Sequence, residues 1–372
     1  MRLLVVTFGM QPPWIDGRIT SLRTLVEALA ARGAQVQVLT TGATDCAYRD
    51  QNVDYRVLPG GSGRNWLALA SQFWRMASSR QTDLVIFRPF AGFNRLNLAS
   101  IALFRLLGLW RGTPFVLSLW SGPAQLLAWP RLFSAILVSS RVANSHRRIV
   151  PLAPIIDMQP VVPSPQPLLQ RYGFSTDDFV GLFTYCGRID ADSLWDYTFA
   201  QRGLADLIGA AALLRDVPRI KYLVSMPMLA QETARVRLMA LLRQAGVEDR
   251  FVLTHEIEDL PATLSAVDAY LYPVHIDEPS WAPISMLEAQ ACDTPVITTR
   301  IPAILEFATD GEILLYEPGQ VDQLGEAIRR LASDGDLYDA LVTSGRRRVR
   351  QANSSAAVAG QVAATLEQLA SR

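Results

Sequence analysis

The sequence predicts an α/β protein made of two doubly wound halves, and three observations point there. A chain of 372 residues is longer than one ordinary core organises. Short, wholly apolar runs alternate with amphipathic stretches along most of it, the pattern of parallel strands covered on both faces by helices. The alternation breaks once, at "PLAPIIDMQPVVPSPQPLL", where prolines 151, 154, 160, 163, 165 and 167 crowd together. Proline fixes φ and removes a donor, so this stretch reads as a stiff connector. The expected domains are therefore 1–167 and 168–350, with 351–372 as a C-terminal helix returning to the first domain.

Each half can be read element by element. The first has strand-like runs at "RLLVVTF", "AQVQVLTT", "DLVIFR", "PFVLSLW" and "AILVSS". Between the first two, Ile19, Leu22, Val26 and Leu29 make one helical face, and Gly33 ends the helix. The second half repeats the scheme with "FVGLFTYCG", "IKYLVSM", "RFVLTH", "AYLYP", "TPVITT" and "EILLYE". Helices are predicted over 203–214, 230–245, 260–267, 283–292 and 321–333, and a further Ala- and Arg-rich helical stretch over 337–371. Such halves bind ligands at the carboxyl ends of their strands, in a cleft between them.

Composition excludes several function classes. Half the residues are hydrophobic and 19% charged, which is globular. The formal net charge is zero, which removes the bulk electrostatic argument for nucleic acid. Cys46, Cys186 and Cys292 form no CxxC pair, so neither zinc nor a disulfide framework is expected, and a reducing cytoplasm fits. The start reads as a core strand rather than a signal peptide, and no stretch reaches the roughly 20 apolar residues of a membrane span. "NRLNLASIALFRLLGLWRG", residues 94–112, reads either as a covering helix or as a segment lying on a membrane surface.

No GxGxxG follows the first strand and there is no GxxxxGK[ST]; Lys221 is the only lysine, beside 34 arginines. No HExxH or GxSxG appears, and His146, His255 and His275 are scattered, as structural or surface histidines are. What remains is a set of strand-end loops. "PPWIDGR" brings Gly17 to a helix start. "YCGRIDADSLWDYTFAQRGLADL" carries Arg188 and Arg202. "HIDEPSWAPISMLE" delivers a helix N-terminus and then Glu288. A helix start presents free N–H groups to an anion, and arginines add bidentate donors, so these loops suit a phosphate. Glu288 shares a predicted helical face with the apolar Ile284, Leu287 and Ala291, where an unpartnered carboxylate is costly.

On these residues the chain resembles the retaining GT-B glycosyltransferases, specifically glycosyltransferase family 4. The likeness is strongest over "PISMLEAQACDTPVITTRIPAILEFATDGEILLYEPG". The resemblance implies a GT-B fold, two Rossmann-like domains facing across a cleft. It implies transfer of a sugar from a nucleotide-sugar to an acceptor hydroxyl, with retention and without metal or cofactor, the nucleotide-sugar being co-substrate. Arg188 and Arg202 would then hold the diphosphate, with Gly17, Ser280, Pro283 and Ile284 lining the donor site. Glu288 would accept hydrogen bonds from the ribose hydroxyls. The acceptor would be a glycan, a lipid-linked or a small-molecule hydroxyl, reached in the cytoplasm or at the inner face of a membrane.

The chain departs from the family pattern in three places. Ser280 stands where the first acid of the family's Glu-x7-Glu element belongs, which leaves Glu278, Asp277 or neither to contact the donor sugar. Trp120 and Ser121 occupy a place where many members carry a His. Thirteen residues separate Arg188 from Arg202, where the family has about four; the excess reads as a lid or a surface loop, and its "DAD" is not expected to bind metal. A nucleotide-sugar epimerase of the same fold, and a non-catalytic nucleotide-sugar binder, are the alternative readings.

Overall fold

The computed structural model describes residues 1–10, 17–59, 63–78, 82–88, 102, 106, 113–119, 133–138, 148–161, 166–185, 196–276 and 283–371. The chain divides into two compact units. One takes Met1–Ile155 and Ala352–Arg372, the other Ile156–Glu278 and Pro283–Gln351, so the division falls at Ile155.

In the first unit the elements run β1 (Arg2–Val6), α1 (Gly17–Ala31), β2 (Gln35–Gly42), β3 (Cys46–Asp50), β4 (Val53–Pro59), α2 (Gly63–Ser78), β5 (Leu84–Phe87), β6 (Phe115–Leu119), β7 (Ala135–Val138) and β8 (Ile149–Pro151). They form one sheet of order β3-β4-β2-β1-β5-β6-β7-β8. Strands β1, β5 and β7 are buried throughout but for Arg2, as their unbroken apolar runs require. The sheet is parallel except at its edge, where β3 pairs antiparallel to β4. That hairpin turns at Gln51 and Asn52, both at positive φ. The sequence reading missed β3 because "CAYRD" has no apolar run; its residues alternate between half-buried and exposed.

The second unit contains α3 (Gln166–Arg171), β9 (Phe179–Thr184), α4 (Leu204–Leu213), β10 (Ile220–Ser225), α5 (Glu232–Ala245), β11 (Phe251–Thr254), α6 (Leu260–Ala266), β12 (Ala269–Tyr272), α7 (Ile284–Ala291), β13 (Val296–Thr299), α8 (Pro302–Leu305), β14 (Leu314–Tyr316), α9 (Val321–Ser333) and α10 (Gly335–Asn353). Its six strands are all parallel, in the order β11-β10-β9-β12-β13-β14. Leu204, Leu207, Ala210 and Ala211 of α4 pack with Leu324 and Ile328 of α9 and Phe183, Tyr222 and Leu271 of the sheet in one core. Each such fully buried Leu or Ile contributes about 1.5–3 kcal/mol. The buried Arg250 ends α4 by donating to the carbonyls of Leu214, Arg215 and Val217 at 3.3, 2.7 and 2.9 Å.

The helical stretch expected over 337–371 is two helices. It breaks at Ser354, whose hydroxyl accepts the Ala357 N–H and starts α11 (Ser355–Ala370). Val358, Ala359, Val362 and Leu366 of α11 share the core of the first unit with Leu22, Leu25, Val26 and Leu29 of α1.

In the second sheet the chain leaves β9 for β10 and β11 on one side, then returns to β12 on the other. β9 and β12 therefore flank the topological switch point, the place where open α/β sheets bind ligands. The loop after β9 leads to Arg202, and the loop after β12 leads to Glu288. The strand order thus makes neighbours of two segments that the sequence keeps far apart.

Candidate active site of the second unit

The exit of β9 runs through Tyr185 and returns in a single π turn, Tyr197–Gln201, closed by the Arg202 N–H on the Tyr197 carbonyl at 3.1 Å. Such turns are rare and recur at functional sites. The Arg202 guanidinium carbon lies 4.9 Å from the centre of the Tyr185 ring and 5.5 Å from that of Tyr197. The next residue, Gly203, has φ +73°, and a Cβ there would lie 1.7 Å from the Pro273 carbonyl oxygen. Only glycine permits this approach. It locks the start of α4 against the exit of β12.

That exit is held from both sides. The His275 N–H donates to the Gln201 carbonyl at 2.9 Å. On the other side Thr298 Oγ1 donates to the Tyr272 carbonyl at 2.7 Å, and Thr299 Oγ1 to that of Val274. His275 Nε2 lies 2.7 Å from Oδ2 of Asp206, which is only 6% exposed. The Tyr316 hydroxyl donates to the same oxygen at 3.4 Å. Burial, with Asp206 beside it, pushes the Tyr316 phenol well above its usual range.

Helix α7 begins after Pro283, and among the described residues no side chain caps its first N–H groups; a helix start of this kind suits an anion. Met286, Leu287, Ala289, Gln290 and Ala291 are its buried positions. Ile284, Ser285 and Glu288 form a half-buried stripe, so the carboxylate lies along the rim of the core rather than in it. Even so, desolvation alone pushes the Glu288 carboxyl from its usual 4.5 to about 7. Among the described residues no hydrogen bond or salt bridge engages it. Its field adds to burial in pushing the Cys292 thiol up to about 12. Just past the C-cap Cys292 stands Asp293, a non-glycine residue at φ +65° whose carboxylate pairs with Arg346 at 2.8 Å.

The profile described as Glycosyl transferases group 1 matches residues 198–348, and that of the Glycosyl transferase 4-like domain matches residues 17–155. The chain is a GT-B glycosyltransferase related to family 4. The resemblance seen in the sequence is thereby confirmed, and so is the fold of two Rossmann-like domains. Among solved structures, Alr3699/HepE of Anabaena in complex with UDP and glucose is 16% identical with a TM-score of 0.69, over 99% of this chain and 100% of that one. A glycosyltransferase from Rickettsia africae ESF-5 is 13% identical with a TM-score of 0.72, over 99% and 98%. Likeness at this identity speaks for the fold alone. Among curated proteins, the capsular polysaccharide biosynthesis glycosyltransferase CapM of Staphylococcus aureus is 29% identical over 105 residues, 28% of this chain; the match spans 27% of that relative's length.

In this transferase the structure brings Arg202, Pro283, Ile284 and Glu288 onto the loops and helices that flank the switch point, and places Gly17 at the first position of α1. Arg188, Asp277, Glu278, Ser280, Trp120, Ser121 and the "DAD" of 190–192 lie outside the described residues, as does nearly all of 94–112. Among the described residues no helix is long and apolar enough to cross a membrane, and no group of three or more His, Cys, Asp and Glu side chains is placed to hold a metal. Sequence reasoning missed Tyr185, Tyr197 and the His275–Asp206–Tyr316 chain. It set His275 among the scattered histidines, because a partner 69 positions away leaves no mark on local spacing.

Proposed function

We propose that the chain transfers a hexose from a nucleotide-sugar to an acceptor hydroxyl with retention of anomeric configuration. The observation that carries this reading is Glu288: a desolvated carboxylate on α7, beside the switch point, without a partner among the described residues. A ribose diol supplies two O–H donors and would satisfy it. Arg202, with Arg188, holds the diphosphate, and the N-terminus of α7 adds its amides. Glu278 contacts the donor sugar.

The charge that grows in the transition state is that of the departing diphosphate. Guanidinium and amide donors stabilise it without a metal or cofactor. The bond from the anomeric carbon to the phosphate oxygen breaks as the acceptor oxygen bonds on the same face, and the acceptor proton passes to the released phosphate oxygen. No histidine is required by this scheme. The acceptor is a glycan, a lipid-linked or a small-molecule hydroxyl. The partial likeness to a capsular polysaccharide enzyme favours the first two.

A thermal-shift panel of UDP-, GDP-, ADP- and TDP-sugars identifies the donor by selective stabilisation. With that donor, Arg202→Ala and Arg188→Ala each lower turnover about 100-fold or more. Full turnover in both variants would overturn the assignment.

A further inference from the structure

The segment between Arg188 and Arg202, longer here than in the family, ends in residues that are firmly anchored. Asp196 pairs with Arg237 of α5 at 3.5 Å, Thr198 is fully buried, and Phe199 packs on the core of the second unit. Tyr197, on the same turn, is set beside Tyr185. The two ring centres are 6.3 Å apart with planes inclined at 47°, and the Arg202 guanidinium lies within 4.9 and 5.5 Å of them. Both distances are inside the roughly 6 Å over which a cation is attracted to a ring face.

We infer that Tyr185 and Tyr197 are positioning residues that hold the Arg202 guanidinium ready for the donor diphosphate. The inference rests on Arg202 contacting the diphosphate. Its chemistry follows from the choice of cation. A lysine would present a compact charge on a flexible stem. Arginine instead has a planar head that stacks on aromatic faces while its edge N–H groups stay available for bidentate bonds to phosphate oxygens. A free arginine side chain loses considerable rotamer entropy when it grips an anion. The rings restrict it beforehand, so less of that loss falls on binding. They also hold it without adding negative charge at an anion site.

The test compares two ligands that differ only in the part Arg202 would hold: the best stabilising member of UDP, GDP, ADP and TDP, and its parent nucleoside. Calorimetric titration of the full chain should find the diphosphate bound about tenfold more weakly by Tyr197→Leu, with nucleoside affinity unchanged. Tyr197→Phe, which keeps the ring, should restore wild-type affinity within about twofold. Unchanged diphosphate affinity in Tyr197→Leu would overturn the inference. Equal losses for both ligands would too, because a merely structural tyrosine weakens the whole site. Arg202→Ala separates the two levels of argument. If it binds the diphosphate as wild type does, the diphosphate role of Arg202 fails and the clamp with it. If it loses the diphosphate while Tyr197→Leu does not, the clamp alone fails.

Discussion

Two acids follow the two strands that flank the switch point of the second sheet, and they have opposite surroundings. Asp206, in the first turn of α4, is buried and meets His275 on one side and the Tyr316 hydroxyl on the other. Glu288, on α7, is only half-buried, yet among the described residues it has no partner, and its carboxyl is pushed up to about 7. A buried polar group with its bonds made is a structural element. One that loses part of its water without them costs stability, and such costs gather where a ligand will make up the deficit. The contrast separates a staple from a binding group without reference to any relative.

The harshest way to break the staple is Gly203→Ala. The added carbon would meet the Pro273 carbonyl at 1.7 Å in a backbone of φ +73°, so urea denaturation should show a loss of about 4 kcal/mol or more. A loss below about 1 kcal/mol would mean that the two loops are not locked together.

Glu288→Gln should act in the opposite direction. A carboxyl with a raised folded-state pKa holds its proton in the folded chain where the unfolded chain has lost it. Its contribution to stability therefore falls as pH rises from 4.5 to about 7. The full difference is about 3 kcal/mol. The variant should thus be more stable than wild type at pH 8 by up to that amount, with the advantage gone below pH 4.5, while nucleotide-sugar turnover falls. A variant no more stable at pH 8 than at pH 4, relative to wild type, would show that Glu288 has an internal partner after all.

Asp206→Ala removes the shared acceptor of His275 and Tyr316 and should cost about 2 kcal/mol, read by thermal unfolding. Nucleoside affinity should stay within a few-fold, since a staple stabilises the loop rather than touching the ligand. The smallest effect belongs to the far end of α7. Asp293→Gly relieves a left-handed residue but gives up the Arg346 ion pair, so the two changes, each about 1 kcal/mol or less, should nearly cancel.

The same contrast explains what was legible in the sequence. Wholly apolar runs such as "LLVV" and "AYLY" announced buried parallel strands, and a charge beside an apolar helical pattern drew attention to Glu288. Its stripe was misjudged by part of a turn, because Met286 and Gln290 are buried while Ile284 is not. Strand β3 escaped because an edge strand needs no apolar run. Asp206, Tyr316 and His275 escaped because their meaning lies in a meeting created by strand order. The same holds for the tyrosines at Arg202. The π turn that delivers Tyr197 depends on anchors at Asp196, Thr198 and Phe199 that spacing does not reveal.

The grip of Glu288 on the ribose diol is tested most directly by affinities for the preferred nucleoside diphosphate and its 2′,3′-dideoxy form, measured on wild type and Glu288→Ala. Wild type should prefer the intact ribose by about 30-fold or more, as charge-assisted hydrogen bonds require, and the variant should bind both forms alike. A variant that still favours the intact ribose as strongly as wild type would contradict the account.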